Sequence, residues 1–318
     1  MPLKPIIPFE PVSADKIPEG PDWIYQVKWD GVRVLTYFDG KKIKLFNRHL
    51  NERTSIFPEL KAIKSHLSAK SFIIDGEIIA LNEEGKPSFH EVMRRDSIRR
   101  IERVNEMVEI VPIYYIVFDI IFYNGKWINE QPLKERLDLL TEIMKPNDQF
   151  QLIPSYDEGK DLLTVTKEHD LEGIVCKKLS SNYIISGKKD TWRKVKNYKD
   201  IIAVIGGVTY RDNIVNSLLL GLYDENNDLI YIGNVGIGKL TMEERKLFTS
   251  KIPPLFNNKS PFQSEIKRSQ TITWLQPKLT VKIKFIEWLV GKPLRQPTIE
   301  AFVDQDPLQC KLPILKDE

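Results

Sequence analysis

Cysteine is nearly absent from this 318-residue chain: Cys176 and Cys310 are the only two. They lie far apart without metal-ligand spacing, so a disulfide framework and a cysteine zinc site are both excluded, and free thiols in a reducing cytosol are expected. No apolar run approaches the roughly 18 residues of a membrane-spanning helix. The N-terminal MPLKPIIPFEPV has neither a continuous apolar segment nor a small-residue cleavage site, so no secretory leader is expected. Internal repeats and low-complexity tracts are missing too. So is a strong charge imbalance: 47 Lys and Arg against 44 Asp and Glu give +3, too mild to indicate nucleic-acid binding by itself.

What is present is an ordinary globular composition, 42% hydrophobic and 29% charged, in a length that suggests about two domains. The positive charge is clustered. Arg94, Arg95, Arg99, Arg100 and Arg103 crowd one stretch, which reads equally as a solvated face or a binding surface. A second run extends from Lys177 to Lys199.

Residues 23–47 read as strands with Asp39-Gly40 as a hairpin turn. A helix-like stretch opens at Pro58. SFIIDGEIIAL reads as a strand pair or a bent strand broken at Asp75-Gly76. An arginine-rich helical region follows, then the apolar run IYYIVFDIIFYNGK with Asn124-Gly125 as its turn. Pro132 is placed at the first position of a helix, with Leu133, Leu137, Leu140 and Met144 at helical spacing. Another helix is expected before Leu171, and GIVCKKL reads as a strand. From Asp200 the chain turns β-rich. IIAVIGGVTY, SLLLGLYDENNDLIYIGNV and LTVKIKFIEWLVG are interrupted by one short helix, MEERKLFTS, as in a small barrel such as an OB-fold. The boundary falls within residues 197–200.

Lys28 ends a predicted strand in Lys28-Trp29-Asp30-Gly31. A lysine attacks phosphorus only as the neutral amine, which burial or a nearby cation favours. K-x-D-G alone arises often by chance, but its companions follow in order. Arg33 and Arg48 offer cations, Glu77 a carboxylate, Phe118 an aromatic face for a purine, and Glu172-Gly173 a second carboxylate beside a glycine. Lys194 and Lys196 share one face of a strand. Cations for a triphosphate, carboxylates for a divalent metal and a ring platform are what attack on the α-phosphorus of ATP requires.

These residues resemble the motifs of the covalent nucleotidyltransferase superfamily, specifically ATP-dependent DNA ligases, and most of all the ligase module of bacterial ligase D. K-W-D-G-V-R is similar to motif I, Asn47-Arg48 to Ia, Ile74 to Ile78 to III, Phe118-Asp119 to IIIa, Glu172 to Lys178 to IV, and Trp192 to Lys196 to V. The likeness covers nearly the whole chain. It implies an α+β fold: a nucleotidyltransferase domain of ATP-grasp-like antiparallel sheets with helices over residues 1–198, then an OB-fold β-barrel over 199–318. It implies that Lys28 takes AMP from ATP, passes it to the 5′-phosphate of a nick, and that the 3′-hydroxyl then displaces AMP. By the same resemblance Glu77 meets the ribose and Phe118 the adenine, with Gln26 and Val27 also at the nucleotide. Arg33, Arg48, Lys194 and Lys196 hold phosphates, and Glu172 with Glu77 holds Mg²⁺ or Mn²⁺. Nicked duplex DNA is the implied substrate of a cytoplasmic, nucleoid-associated monomer, with room for a Ku-like end-binding partner and no membrane.

The chain departs from the family near its C-terminus. Aligned on Leu294-Arg295-Gln296-Pro297, Val303 and Asp306 stand where motif VI has an arginine and a lysine, which predicts a slower first step or a substitute cation such as Arg295. No polymerase or phosphoesterase segment is expected to flank the module. Two other readings share the lysine motif: an RNA ligase or capping guanylyltransferase, and a non-catalytic nucleic-acid-binding relative.

Overall fold

Strands buried on both faces read as continuous apolar runs, and the segment around Asp75 is one. Residues 3–264, 266, 271–289 and 291–313 are described by the computed structural model. The chain divides into two units, Met1–Asn197 and Tyr198–Glu318. In the first, ten strands form two sheets: β1 (Glu10–Ser13), β2 (Trp23–Val27), β3 (Val32–Phe38), β4 (Ile43–Asn47), β5 (Phe72–Ala80), β6 (Ile113–Tyr123), β7 (Lys126–Trp127), β8 (Phe150–Leu152), β9 (Gly173–Lys178) and β10 (Lys188–Lys196). The smaller sheet has the order β1-β10-β9-β2. The larger has the order β4-β3-β5-β6-β7, with β8 parallel to β6.

Four helices accompany these sheets: α1 (Phe89–Asp96), α2 (Val104–Ile110), α3 (Leu133–Ile143) and α4 (Gly159–Glu168). The outer face of the larger sheet, carrying Val34, Phe72, Ile74 and Ile78, packs with Val92 of α1, Val104 and Met107 of α2 and Leu140 of α3. Its inner face, carrying Leu35 and Ile73, packs with Ile24 and Trp192 of the smaller sheet. Because side chains alternate along a strand, Asp75 and Glu77 share the inner face with Ile73, and Arg33 shares it with Leu35. In the smaller sheet the same rule puts Gln26 with Ile24, and Lys194 and Lys196 with Trp192. The space between the sheets is apolar at one end and charged at the other.

Several expectations need correction. Residues 72–80 form one strand, not a pair broken at Asp75-Gly76; the register shifts there because β6 carries an extra residue, Phe118, opposite the step from Asp75 to Gly76. The stretch from Pro58 to Ser65 is a 3-10 helix. Pro132 is the N-cap of α3, its ψ of 145° still extended, so the helix starts one residue later than expected. The buried face of α3 is Leu133, Arg136, Leu140 and Ile143, an arginine standing where an apolar side chain would be expected.

That arginine satisfies a charge on β6. Arg136 Nε and Nη2 donate to Asp119 Oδ1 and Oδ2 at 2.8 and 2.9 Å, and both side chains are fully buried.

The second unit contains β11 (Lys199–Arg211), β12 (Ile214–Tyr223), β13 (Leu229–Gly236), β14 (Phe256–Asn257), β15 (Ile272–Phe285), β16 (Thr298–Val303) and α5 (Met242–Lys251). The strands are antiparallel in the order β13-β12-β11-β15-β14, with β16 also on β15. Val204, Leu219, Val281 and Ile283 lie in its core. Thr241 and Glu244 close a capping box at the start of α5. Val290, in the predicted strand LTVKIKFIEWLVG, lies outside the described residues. No helix among the described residues is long and apolar enough to cross a membrane.

Replacing Arg136 by Met strands the Asp119 carboxylate in the core. Breaking a buried pair from one side costs about 3–5 kcal/mol, so the first unit of Arg136→Met is expected to unfold at clearly lower urea than wild type, followed by circular dichroism.

Candidate active site

Two glycines set the geometry around Lys28. Gly31 crosses β5 so closely that a Cβ there would lie 2.0 Å from the Ile78 carbonyl oxygen, bringing the loop after β2 against Glu77. Gly173 has φ +135°, and a Cβ would fall 2.2 Å from the Val195 carbonyl oxygen. The close approach of β9 and β10 that this permits pairs Lys196 with Gly173. Lys28 follows β2, and its backbone N–H donates to the Gly173 carbonyl at 2.8 Å. Lys28 and Lys196 are thereby delivered to the residue before Gly173, which is Glu172.

Glu172 bridges the two. Lys28 Nζ donates to Glu172 Oε2, and Lys196 Nζ lies 2.7 Å from Oε1. The Glu172 side chain is 3% exposed and that of Lys28 21%, so the carboxylate is sealed beneath a reachable amine. Burial alone would raise the Glu172 pKa, but Lys28 and Lys196 outweigh it and hold the carboxyl below its usual range. Lys194 is half-buried on the same face, and burial with the fields of Lys196 and Lys28 lowers its pKa.

A second group lies under Phe118. Arg33 forms a two-pronged pair with Asp75, Nε to Oδ1 at 2.9 Å and Nη2 to Oδ2 at 2.6 Å, and Tyr183 Oη donates to the same carboxylate at 2.6 Å. The Arg33 guanidinium is 5.3 Å from the Phe118 ring centre. Lys177 Nζ lies 4.4 Å from that ring and 4.1 Å from Trp192. Burial lowers Lys177 to a pKa of about 7, against the pull of Asp119 and Asp75. Gln26 is buried, its Nε2 donating to Ser155 Oγ at 3.0 Å, while its Oε1 has no hydrogen-bond partner among the described residues.

The predicted residues therefore fall into a cluster and outliers. Lys28, Glu172 and Lys196 meet directly, with Lys194 and Glu77 in their field. Val27 pairs with Ile174 beside them. Arg48 is exposed, its Nε 3.3 Å from His49 Nε2, and it bonds to none of the other predicted residues. In the second unit Val303 ends β16. Asp306 caps the 3-10 helix Pro307–Gln309, accepting from the Leu308 N–H at 3.0 Å. Arg295 lies 3.6 Å from Glu287.

The sequence matches the family description "ATP dependent DNA ligase domain" over residues 12–196 and "ATP dependent DNA ligase C terminal region" over 211–304. The chain belongs to the ATP-dependent DNA ligase family. It is similar to a DNA ligase of Thermococcus onnurineus, 28% identical over 302 residues, covering 89% of this chain and 52% of that protein. It is also similar to the multifunctional non-homologous end joining DNA repair protein LigD of Mycobacterium tuberculosis, 27% identical over 284 residues, 86% of this chain and 35% of that one. The chain thus spans about half the length of the first of these relatives and about a third of the second. A solved mycobacterial DNA ligase D complexed with ATP and MES shares the fold, with a TM-score of 0.53 at 23% identity over 96% of this chain and 97% of that one. The fold is accordingly that of a nucleotidyltransferase domain followed by a C-terminal ligase domain.

Sequence reasoning placed Asp75, Lys177 and Trp192 inside motif-like stretches of this ligase-family chain but gave no site role to them or to Tyr183. A signal existed for two of them: Asp75 and Lys177 are charges inside apolar strands, which must find partners when buried.

Glu77 gives the site a pH signature. Burial pushes its pKa up to about 8, against the opposing fields of Lys28 and Arg33. The folded chain keeps this proton to about pH 8, whereas the unfolded chain releases it near the ordinary carboxylate value of 4.5. The native state therefore binds more protons across that interval, and stability falls as pH rises through it. Glu77→Gln removes the effect, so its melting temperature relative to wild type should rise from pH 5 to pH 8.5. A difference independent of pH would show that Glu77 ionises normally.

Proposed function

We propose that this chain is an ATP-dependent DNA ligase that seals nicks bearing a 5′-phosphate and a 3′-hydroxyl, with Lys28 as the residue that carries AMP. The observation that carries this reading is the buried Glu172 carboxylate held between Lys28 and Lys196. Residues 1–198 act as the adenylyltransferase domain and residues 199–318 as the OB-fold domain.

Lys28 Nζ attacks the α-phosphorus of ATP, pyrophosphate leaves, and a phosphoramidate forms. Glu172 Oε2, which accepts the Lys28 hydrogen bond, is the acceptor at hand for the ammonium proton. Arg33, Lys194 and Lys196 neutralise phosphate charge, joined by Arg48 when its exposed side chain swings in. Phe118 covers the adenine, Glu77 takes the ribose, and the free Gln26 Oε1 accepts from the adenine amino group beside Val27. A 5′-phosphate oxygen then displaces Lys28 from the phosphorus, and the 3′-hydroxyl finally displaces AMP to form the phosphodiester.

A divalent ion fits this donor set in one way. The described residues hold no cluster of three metal-ligating side chains, and Mg²⁺ typically takes one or two carboxylates plus substrate phosphates. Glu172, with Glu77 once deprotonated, would hold Mg²⁺ or Mn²⁺ together with the nucleotide, and the ion would neutralise charge on the phosphates. The end-joining relative supports a role at DNA breaks, with a Ku-like protein as recruiting partner. The reading includes a monomer acting in the cytoplasm at the nucleoid.

The test uses two DNA substrates. Lys28→Ala should fail to seal an ordinary nick with ATP but still seal one whose 5′-phosphate already carries AMP, because that substrate bypasses the lysine. Loss on both would remove the nucleophile role from Lys28. Sealing of nicked RNA alone, or GTP use, would favour the RNA ligase or capping reading; DNA binding without any nucleotide transfer would favour the non-catalytic one.

A further inference from the structure

The arginine-rich stretch of residues 94–103 takes no part in the site just described. After α1 the chain runs through Ser97 and Ile98 to Arg99 and Arg100, makes a single 3-10 turn over Ile101–Arg103, and enters α2. These segments enclose an open cavity of about 480 Å³ whose lining includes Arg94, Arg99, Arg100 and Arg103. Ser97 adds a hydroxyl, and only Ile98 and Met107 are apolar. Such a lining does not suit an apolar ligand.

The charge in the cavity is only half balanced. Arg94 pairs with the partly buried Glu91, and Arg103 pairs with Glu106 across exposed side chains. The Arg99 and Arg100 side chains form no ion pair or hydrogen bond among the described residues.

The platform beneath is fixed. Arg95, fully buried between these exposed neighbours, donates to the Val111 and Ile56 carbonyls at 3.0 Å each and to Glu59 at 2.8 Å. It ties the end of α1 to the end of α2 and to the 3-10 helix Pro58–Ser65. One arginine of the run holds the scaffold while four others present guanidinium groups to solvent around a common opening. Planar guanidinium donors match phosphate oxygens two at a time.

We infer that this cavity is a phosphate-binding surface for the sugar–phosphate backbone of duplex DNA, separate from the Lys28 site. Its openness and exposed arginines suit a polymer lying across it better than an enclosed small anion. The inference rests on DNA being the substrate, and it assigns part of the grip on DNA to residues that play no role in nucleotide transfer.

The experiment measures binding of the full chain to fluorescein-labelled nicked duplex DNA by anisotropy over a range of salt. Each phosphate contact contributes about 0.9 to the slope of log Kobs against log salt. The double variant Arg99→Ala/Arg100→Ala should therefore lower that slope by roughly 1 to 2, while the yield of AMP-labelled protein without DNA stays at the wild-type level. A control, Lys41→Ala/Lys42→Ala in the exposed β3–β4 turn, removes the same charge and should leave the slope unchanged. An unchanged slope in the arginine variant overturns the inference even if the wild type seals nicks. An equal fall in both variants overturns it too, by reducing the effect to net charge. If the wild type transfers AMP but binds no DNA, this inference and the DNA substrate fall together while Lys28 chemistry stands.

Discussion

A carboxylate removed from water must find positive charge, and in the first unit Glu172 finds it on both sides. Its pairing with Lys28 and Lys196 joins the end of β2, the start of β9 and the end of β10. Removing either lysine would leave the other to carry the full compensation, and a buried ion left unpaired costs several kcal/mol. Gly31 and Gly173 serve this pairing by allowing backbone approaches that no side chain would permit. The arrangement also has a chemical consequence. The amine is kept at the mouth of the inter-sheet space, beside a proton acceptor and next to cations that arriving phosphates can share.

Around this bridge the inner faces of the two sheets change from apolar to charged. Phe118 stands at the transition, with Arg33 and Lys177 over its ring. The pairs Arg33–Asp75 and Arg136–Asp119 satisfy the carboxylates behind it. A ring held by such neighbours has little freedom to reorient, which suits it to receive a flat base. The buried charges thus serve positioning at least as much as stability, because buried ion pairs are weak contributors to stability in themselves.

Much of this was legible in the sequence. Strand alternation put Lys194 and Lys196 on one face, and the ordered motifs selected Lys28, Glu172 and Phe118 before any coordinates. What spacing cannot supply is partnership across the chain: Lys28 and Glu172 are 144 residues apart, and periodicity says only which face each occupies. Asp75 was read as part of a strand break because Asp-Gly usually marks a turn; a partner arginine on the neighbouring strand β3 satisfies it inside β5, and the extra residue at that point lies on β6. Arg136 escaped notice because helical spacing counts apolar positions, and an arginine neutralised by Asp119 occupies one of them. In the second unit, Asp306, which the resemblance set at an expected lysine position, uses its carboxylate to cap a short helix.

The amine bridged to Glu172 is the one proposed to receive AMP. Mass spectrometric mapping tests it most directly: the protein is stripped with pyrophosphate, incubated with ATP and Mg²⁺, and digested. An AMP adduct is expected on the peptide containing Lys28, localised by fragmentation to that lysine. An adduct on Lys177, Lys194 or Lys196 with Lys28 unmodified, or no adduct at all, would contradict it.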